Sequence, residues 1–215
     1  LVKLELLNYQ DQAQAGRSVV LFDQTAKRTY LAQTGLVSGA GAAALPNHLT
    51  PMTASPGERP LAAGAESVSL RLESESVEGR GLVKTYTFKR GSYTVGVKHE
   101  LINNGSTAVQ PQVYLQLARD AAPPEGESSL YFTFTGPALY TEANKFQKLE
   151  FKDIAKGGAK HDSSANNGWV AMVQHYFASA WLIQGDAQRE FRTAKVAPPG
   201  GQEYYTVAMV VPLAQ

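Results

Sequence analysis

Four histidines, His48, His99, His161 and His175, are the side chains best suited to proton transfer or metal binding in this sequence. No two stand three or four residues apart, the spacing that would set two imidazoles on one helix face around a zinc ion. His99 lies in an alternating apolar stretch and reads as a packed, hydrogen-bonded histidine. Glu100 follows it directly, but successive strand residues point to opposite faces, so the two cannot converge as an acid and a base. Asp120, Glu150 and Asp153 are further carboxylates, and nothing in their spacing lifts any of them above a solvated surface role. The sequence has no glycine-rich phosphate loop, no nucleophile elbow and no zinc-protease helix. It also has no cysteine, which removes thiol chemistry, disulfides and thiolate ligands together. The chain is expected to be non-catalytic, with no cofactor and no metal.

The elements that carry these residues follow from patterning. At 215 residues the chain can bury roughly 70% of its unfolded surface, so a core needs no covalent staples. Twenty basic residues face nineteen acidic ones for a net charge of +1, a balance that offers no field for nucleic acid. No apolar run approaches the length of about 18 residues needed to cross a bilayer. The sequence starts abruptly in a strand-like segment and stops soon after another at Val210-Val211-Pro212, so we expect a single domain over 1–215, excised from a larger protein.

Val2 to Leu7 reads as a strand, and Val19 to Phe22 with Arg28 to Leu31 as a hairpin. From Thr34 to Gly64 the chain is rich in Ala, Gly and Pro without a sustained period, and a flexible surface excursion is expected there. Val68, Leu70 and Leu72 alternate with polar residues, as do Tyr86 and Phe88, then Tyr93, Val95, Val97, His99 and Leu101. Asn103-Asn104-Gly105-Ser106 has hairpin-turn chemistry, and Val109, Val113, Leu115 and Leu117 follow, so these strands are expected to form one antiparallel meander. Ala121 to Glu127, with two prolines, is a loop. Tyr131 to Thr135 and Phe146 to Phe151 read as strands, Asp153 to Asn167 as a polar connection, and Phe191 to Val196 and Tyr204 to Val211 as the closing strands. So many short strands with turns between them argue for a large all-β antiparallel β-sandwich.

The densest apolar run spans Gly168 to Trp181. Its period fits one helix or two short strands broken near Gln174-His175, and the β-patterned surroundings favour two strands. Gly168, Trp169, Met172, Tyr176, Phe177 and Trp181 are taken as its core motif, while His175, at the break, is given no role. Tyr131, Phe132, Phe134, Tyr140 and Phe146 cannot all be buried on one side by alternation. Either both faces of their sheet are covered or some of them form a partner-binding surface, with Lys145, Lys148 and Lys152 as a charged rim.

Gly168-Trp169-Val170-Ala171-Met172, Gln174, Tyr176-Phe177 and Ala180-Trp181 together resemble the periplasmic domain of the bacterial YidC membrane-protein insertases. Thr85 to Tyr93, with Lys89-Arg90-Gly91 and the later Asn103-Asn104-Gly105, is similar to a second region of that family. The likeness is strong from about Gly81 to Val211 and weak before it. It implies a super-sandwich of the galactose mutarotase-like kind, lying on the periplasmic side of the inner membrane of a Gram-negative bacterium. The parent protein would be membrane-embedded and would help insert, fold and assemble membrane proteins, alone or with the Sec translocon. Nascent membrane proteins and the accessory SecDF subunits are the implied partners. The implied fold also opens an alternative, a carbohydrate-binding or sugar-epimerising domain, although no histidine and carboxylate are set to converge.

Overall fold

The computed structural model describes residues 1–11, 14–39, 43–57, 59–124 and 133–213. Strand takes 53% and helix 3%, which makes the fold all-β, built of antiparallel sheets in a sandwich-like arrangement. β1 (Leu4–Gln10), β2 (Ser18–Gln24) and β3 (Thr29–Ser38) open the chain. β2 and β3 make the expected hairpin, with Asp23 opposite Tyr30, and the Thr25 hydroxyl accepts the Arg28 amide at 3.1 Å in its turn. The stretch from Thr34 to Gly64, expected as an excursion, carries the second half of β3 and the short β4 (Met52–Ala54). It also buries Leu36 and Leu45, and the Leu36 amide donates to the Pro46 carbonyl at 3.0 Å. Its small residues hid a segment that contributes to the core.

β5 (Ser67–Ser74), β6 (Arg80–Lys89) and β7 (Val95–Asn103) form the expected meander. β5 alternates between exposed and covered residues along its length, with Val68, Leu70 and Leu72 on the covered side, as a strand with one wet face must. Tyr93, expected on the apolar face of β7, precedes that strand and is exposed. β8 (Pro111–Arg119) also departs from expectation by joining a different sheet from β7. Asn103 to Ser106 is not a hairpin turn. The Asn103 side chain accepts the Gly105 amide and donates to the Thr107 carbonyl, while the Asn104 amide donates to the Gly79 carbonyl at 2.9 Å. Those bonds lead the chain toward the β5–β6 loop instead of back along β7.

Tyr131 and Phe132 lie outside the described residues, and Thr133 to Thr135 are irregular rather than extended in a sheet. The strand here is β9 (Gly136–Thr141), one step later than expected. Pro137 stands near the start of the strand, where its missing N–H removes one ladder bond only and its carbonyl accepts the Leu149 amide at 2.9 Å. β10 (Lys145–Lys148) is shorter than expected, because Phe151 starts the helix α1 (Phe151–Ala155). Phe151 packs on Tyr205 with ring centroids 5.0 Å apart and Ile154 is buried, the i and i+3 spacing of one helical face. β11 (Ser164–Ala165), β12 (Trp169–Gln174), β13 (Phe177–Leu182), β14 (Arg189–Val196) and β15 (Tyr204–Pro212) complete the chain. The apolar run is therefore two strands, paired from Trp169 opposite Leu182 to Gln174 opposite Phe177.

The chain divides into two compact units. Residues 1–33 and 114–211 hold the first half of β3 and most of β8 in a seven-stranded sheet of order β1-β2-β3-β8-β15-β14-β11, with a four-stranded sheet of order β10-β9-β12-β13. Tyr30, fully buried, bridges these layers: its hydroxyl donates to the Met172 carbonyl at 3.3 Å and shares a hydrogen bond with the Ser179 hydroxyl at 2.7 Å. The Trp181 ring N–H donates to the Gln116 carbonyl at 3.0 Å, and Arg119 donates to the Gln174 side chain at 2.5 Å. Buried polar tips thus find partners on the facing layer. Residues 34–113, with Pro212 and Leu213, form the second unit, whose sheet has the order β4-β5-β6-β7. Leu36, Leu82 and Tyr86 are buried in it.

Within the apolar run the core assignment needs one correction. Met172 is fully buried, and Trp169, Phe177 and Trp181 are half-buried, but Tyr176 is 78% exposed. It occupies the two-residue turn between β12 and β13 with φ of 68°, a left-handed conformation that a tight hairpin demands and that glycine or asparagine meets with less strain. Replacing Tyr176 by Gly should leave stability unchanged or raise it by about 1 kcal/mol, whereas Trp181→Ala should lower it by about 2 to 4 kcal/mol. Urea denaturation of both variants checks the contrast. A Tyr176→Gly loss as large as that of Trp181→Ala would restore the tyrosine to the core.

Candidate functional site

Register sets four large side chains in a row across the four-stranded sheet. Phe146 of β10 stands opposite Tyr140 of β9, Tyr140 opposite Trp169 of β12, and Trp169 opposite Leu182 of β13. Cross-strand partners share a face. Tyr140 and Trp169 stack with centroids 5.6 Å apart and planes 9° from parallel, and Phe146 leans on Trp169 at 5.9 Å and 46°. The alternate residues Leu139, Val170 and Met172 are fully buried and face the core, so the row stands on the opposite face, beside the small buried residues Ala138 and Ala171. Phe146 is 46% exposed and Leu182 64% exposed.

Two of the expected partner-binding residues, Tyr140 and Phe146, are therefore brought together. Phe134 lies beside them in sequence only: it is half-buried, with the Lys148 ammonium 5.1 Å from its ring centroid, a cation–π contact. Tyr131 and Phe132 fall outside the described residues. Lys145, Lys148 and Lys152 are all exposed. Trp169 and Leu182 join the surface although the sequence assigned the first to the core and gave no role to the second. Only the pairing register reveals them.

A polar lattice fixes the row. Asp162 accepts hydrogen bonds from the Thr141 hydroxyl, from the Asn144 amide group at 2.5 Å and from Gln147 at 3.4 Å. The Thr141 hydrogen bond is the largest of the effects that hold the Asp162 carboxyl below its ordinary range. Asn167 accepts the Glu142 amide at 2.9 Å, and His161 reaches the Asp162 carbonyl at 2.7 Å and the Thr193 hydroxyl at 3.2 Å. The β9–β10 hairpin is thereby tied to the connection before β12. At its end Gly168 has φ of 98°, and a β-carbon there would lie 2.1 Å from the Tyr140 carbonyl oxygen. Arg189, 2% exposed, donates to the Gly168 carbonyl at 2.9 Å. Trp169 can stack on Tyr140 because the backbone before it has no side chain.

Among the described residues no group of three or more His, Asp or Glu side chains is placed to hold a metal ion. His175 shares a hydrogen bond with the Thr133 hydroxyl at 2.8 Å, and His99 with the Thr34 hydroxyl at 2.8 Å. Asp153 lies in the first turn of α1, and Asp120 is buried to receive the Thr29 amide at 2.6 Å and the Ala122 amide at 2.9 Å. The Asp120 arrangement is a backbone anchor that corrects its expected surface role.

A family model described as the YidC periplasmic domain matches residues 1–215. The chain belongs to that family. The match covers the first 80 residues too, where the sequence resemblance was weak. Similar proteins include the membrane protein insertase YidC of Cupriavidus taiwanensis, 48% identical over 213 residues, which is 99% of this chain and 36% of the relative. The proteins of the same name from Janthinobacterium sp. strain Marseille and Dechloromonas aromatica are 46% identical over 210 residues and 44% over 215, covering 98% and 100% of this chain and 36% and 38% of theirs. The chain thus spans a little over a third of the length of these relatives, and none of them is named for carbohydrate chemistry. For this member of the family, Gly168→Ala should lower unfolding free energy by about 3 kcal/mol through the left-handed backbone and the Tyr140 contact, and should change tryptophan emission. Native stability with unchanged emission would contradict the close approach.

Proposed function

We propose that this chain is the non-catalytic periplasmic domain of an inner-membrane insertase, and that it serves the insertion, folding and assembly of membrane proteins by holding partners. The observation that carries this reading is the match of the whole chain to the YidC periplasmic domain, together with relatives named as membrane protein insertases. Their greater length leaves room for a membrane-embedded part, to which the insertion step would belong. The partners we assign are nascent membrane proteins and the accessory SecDF subunits of the Sec translocon.

The row of Phe146, Tyr140, Trp169 and Leu182 is the docking surface we favour. Its aromatic side chains are rigid and pre-stacked, so little conformational freedom is lost on contact, and aromatic residues dominate the energetics of protein interfaces. Lys145 and Lys148 belong to the same hairpin as Phe146 and supply a charged rim. Rim charges steer approach and respond to salt, while buried anchors set the dissociation rate.

Site-specific photocrosslinking in membranes tests the assignment. Crosslinks to an accessory subunit should concentrate at Phe146, Trp169 and Leu182. A combined Phe146→Ala and Leu182→Ser variant should weaken binding roughly tenfold or more, and Lys145→Glu should weaken it modestly and in a salt-dependent way. Equal crosslinking from positions scattered over both units, or undiminished binding by the folded double variant, would reject this face.

A further inference from the structure

Lys84 breaks the pattern of its own strand. Cross-strand register places Ala54, Leu72, Lys84 and His99 in one row over β4, β5, β6 and β7. The flanking rows hold Leu70, Tyr86 and Val97 on one side and Leu82 and Leu101 on the other. Lys84 is thus a charged residue in the middle of an apolar face, 4% exposed. Its ammonium donates to the Thr34 carbonyl at 2.6 Å and takes part in none of the ion pairs among the described residues. Buried ammonium groups ordinarily have a carboxylate partner.

The surrounding elements supply bases instead. His99, directly across the strand pair, is hydrogen-bonded through Nε2 to the Thr34 hydroxyl at 2.8 Å. Thr34 therefore receives Lys84 at its carbonyl and His99 at its hydroxyl. His48 is half-buried in the connection between β3 and β4. Residues 34–38 and β4 carry no charged side chain. The acids of the adjoining strands are engaged elsewhere. Glu73 and Glu100, which alternation sets on the opposite face, pair with Arg71 at 3.1 and 3.8 Å, and Glu100 also with Lys98 at 3.0 Å. At the β5–β6 loop Glu78 pairs with Arg80 at 3.1 Å.

We propose that Lys84 and His99 form an acid-sensitive latch, which holds residues 34–38 on the β4–β7 sheet near neutral pH and releases them when the His99 imidazole protonates. One positive charge in this cluster is tolerated through the Thr34 carbonyl. A second, on His99, would face the first across a single strand spacing with no acid between them, in surroundings that screen poorly.

The direction of the response follows from how the fold treats each group. Burial first, and the Lys84 charge second, hold His99 down at about 4 from an ordinary 6.5. The same two causes, in the same order, are the larger of those that lower His48. A histidine held neutral by the fold contributes stability that is complete above its unfolded value and is lost as pH falls from about 6.5 toward 4. Burial brings Lys84 down to about 8, so its own titration affects stability only above that pH. In acid Lys84 is a fixed charge that sets the size of the histidine effect.

Hydrogen exchange of the 215-residue chain, corrected for intrinsic rates, tests the latch between pH 7 and pH 4.5. Protection of the amides of residues 35–37 should fall at least tenfold more than that of β12. His99→Gln keeps a group able to bond Thr34 but cannot take up a proton, and Lys84→Met removes the fixed charge. Either variant should flatten the difference, and His99→Gln alone is decisive if Lys84→Met does not fold. The proposal is overturned if both units lose protection in parallel, or if the folded His99→Gln chain keeps the wild-type pH dependence.

Discussion

The first unit depends on a buried guanidinium whose hydrogen bonds, among the described residues, go to backbone carbonyls rather than to a carboxylate. Arg189 enters from β14 and donates to the carbonyls of Gly168, Ile183 and Gly185 at 2.9, 3.1 and 2.6 Å. One side chain of the seven-stranded sheet thereby holds the start of β12 and the chain that leaves β13. A buried charge is expensive unless its donors are used, and three carbonyl bonds meet most of that demand, with only Nε left without an acceptor. The planar fork suits this task, because its donors diverge in fixed directions toward separate backbone groups. Gly168, whose carbonyl the guanidinium binds, has its backbone at positive φ and lies against the Tyr140 carbonyl. Clamp, close approach and aromatic stack meet at one residue and its neighbour.

Much of this architecture was legible in the residues. Alternation located β5, β6, β7, β14 and β15, and the two-strand reading of Gly168 to Trp181 matches the paired β12 and β13. Misreadings came from places where a nonlocal contact decided the outcome. Asn103 to Ser106 carries hairpin residues, but its side-chain bonds and the Gly79 carbonyl send the chain to another sheet. Tyr176 matched an apolar run by type, yet a two-residue turn had to fall somewhere between β12 and β13, and it fell there at the expense of an exposed aromatic. The strand expected at Tyr131 to Thr135 is instead β9, Gly136–Thr141.

The candidate surface was half legible for a related reason. Tyr140 and Phe146 drew notice as aromatics beside lysines, a signal within reach of any local reading. Trp169 and Leu182 complete the row only through register, which depends on how four strands from 47 residues of chain align. Asp162, Asn167 and Arg189, which hold the row in place, resemble ordinary surface residues in the sequence. Asp162 sits in a polar connection with nothing to mark it, and Arg189 follows a polar Gln188 as any exposed arginine would. Their importance is a matter of what lies opposite them.

Each unit contains a buried cation that bonds to backbone carbonyls, and the two differ in what they can become. A guanidinium stays protonated throughout the range in which proteins fold, so the Arg189 clamp is indifferent to pH and can serve as permanent structure. An ammonium binds one proton that burial can dislodge, and Lys84 has a single carbonyl where Arg189 has three. Replacing the fork by a point charge leaves the second unit with fewer bonds per buried charge and sets that charge across from His99, an imidazole that the fold holds down at about 4. The geometry that makes the first unit insensitive to its surroundings is thus missing from the second, where the same kind of anchor is open to the proton concentration outside.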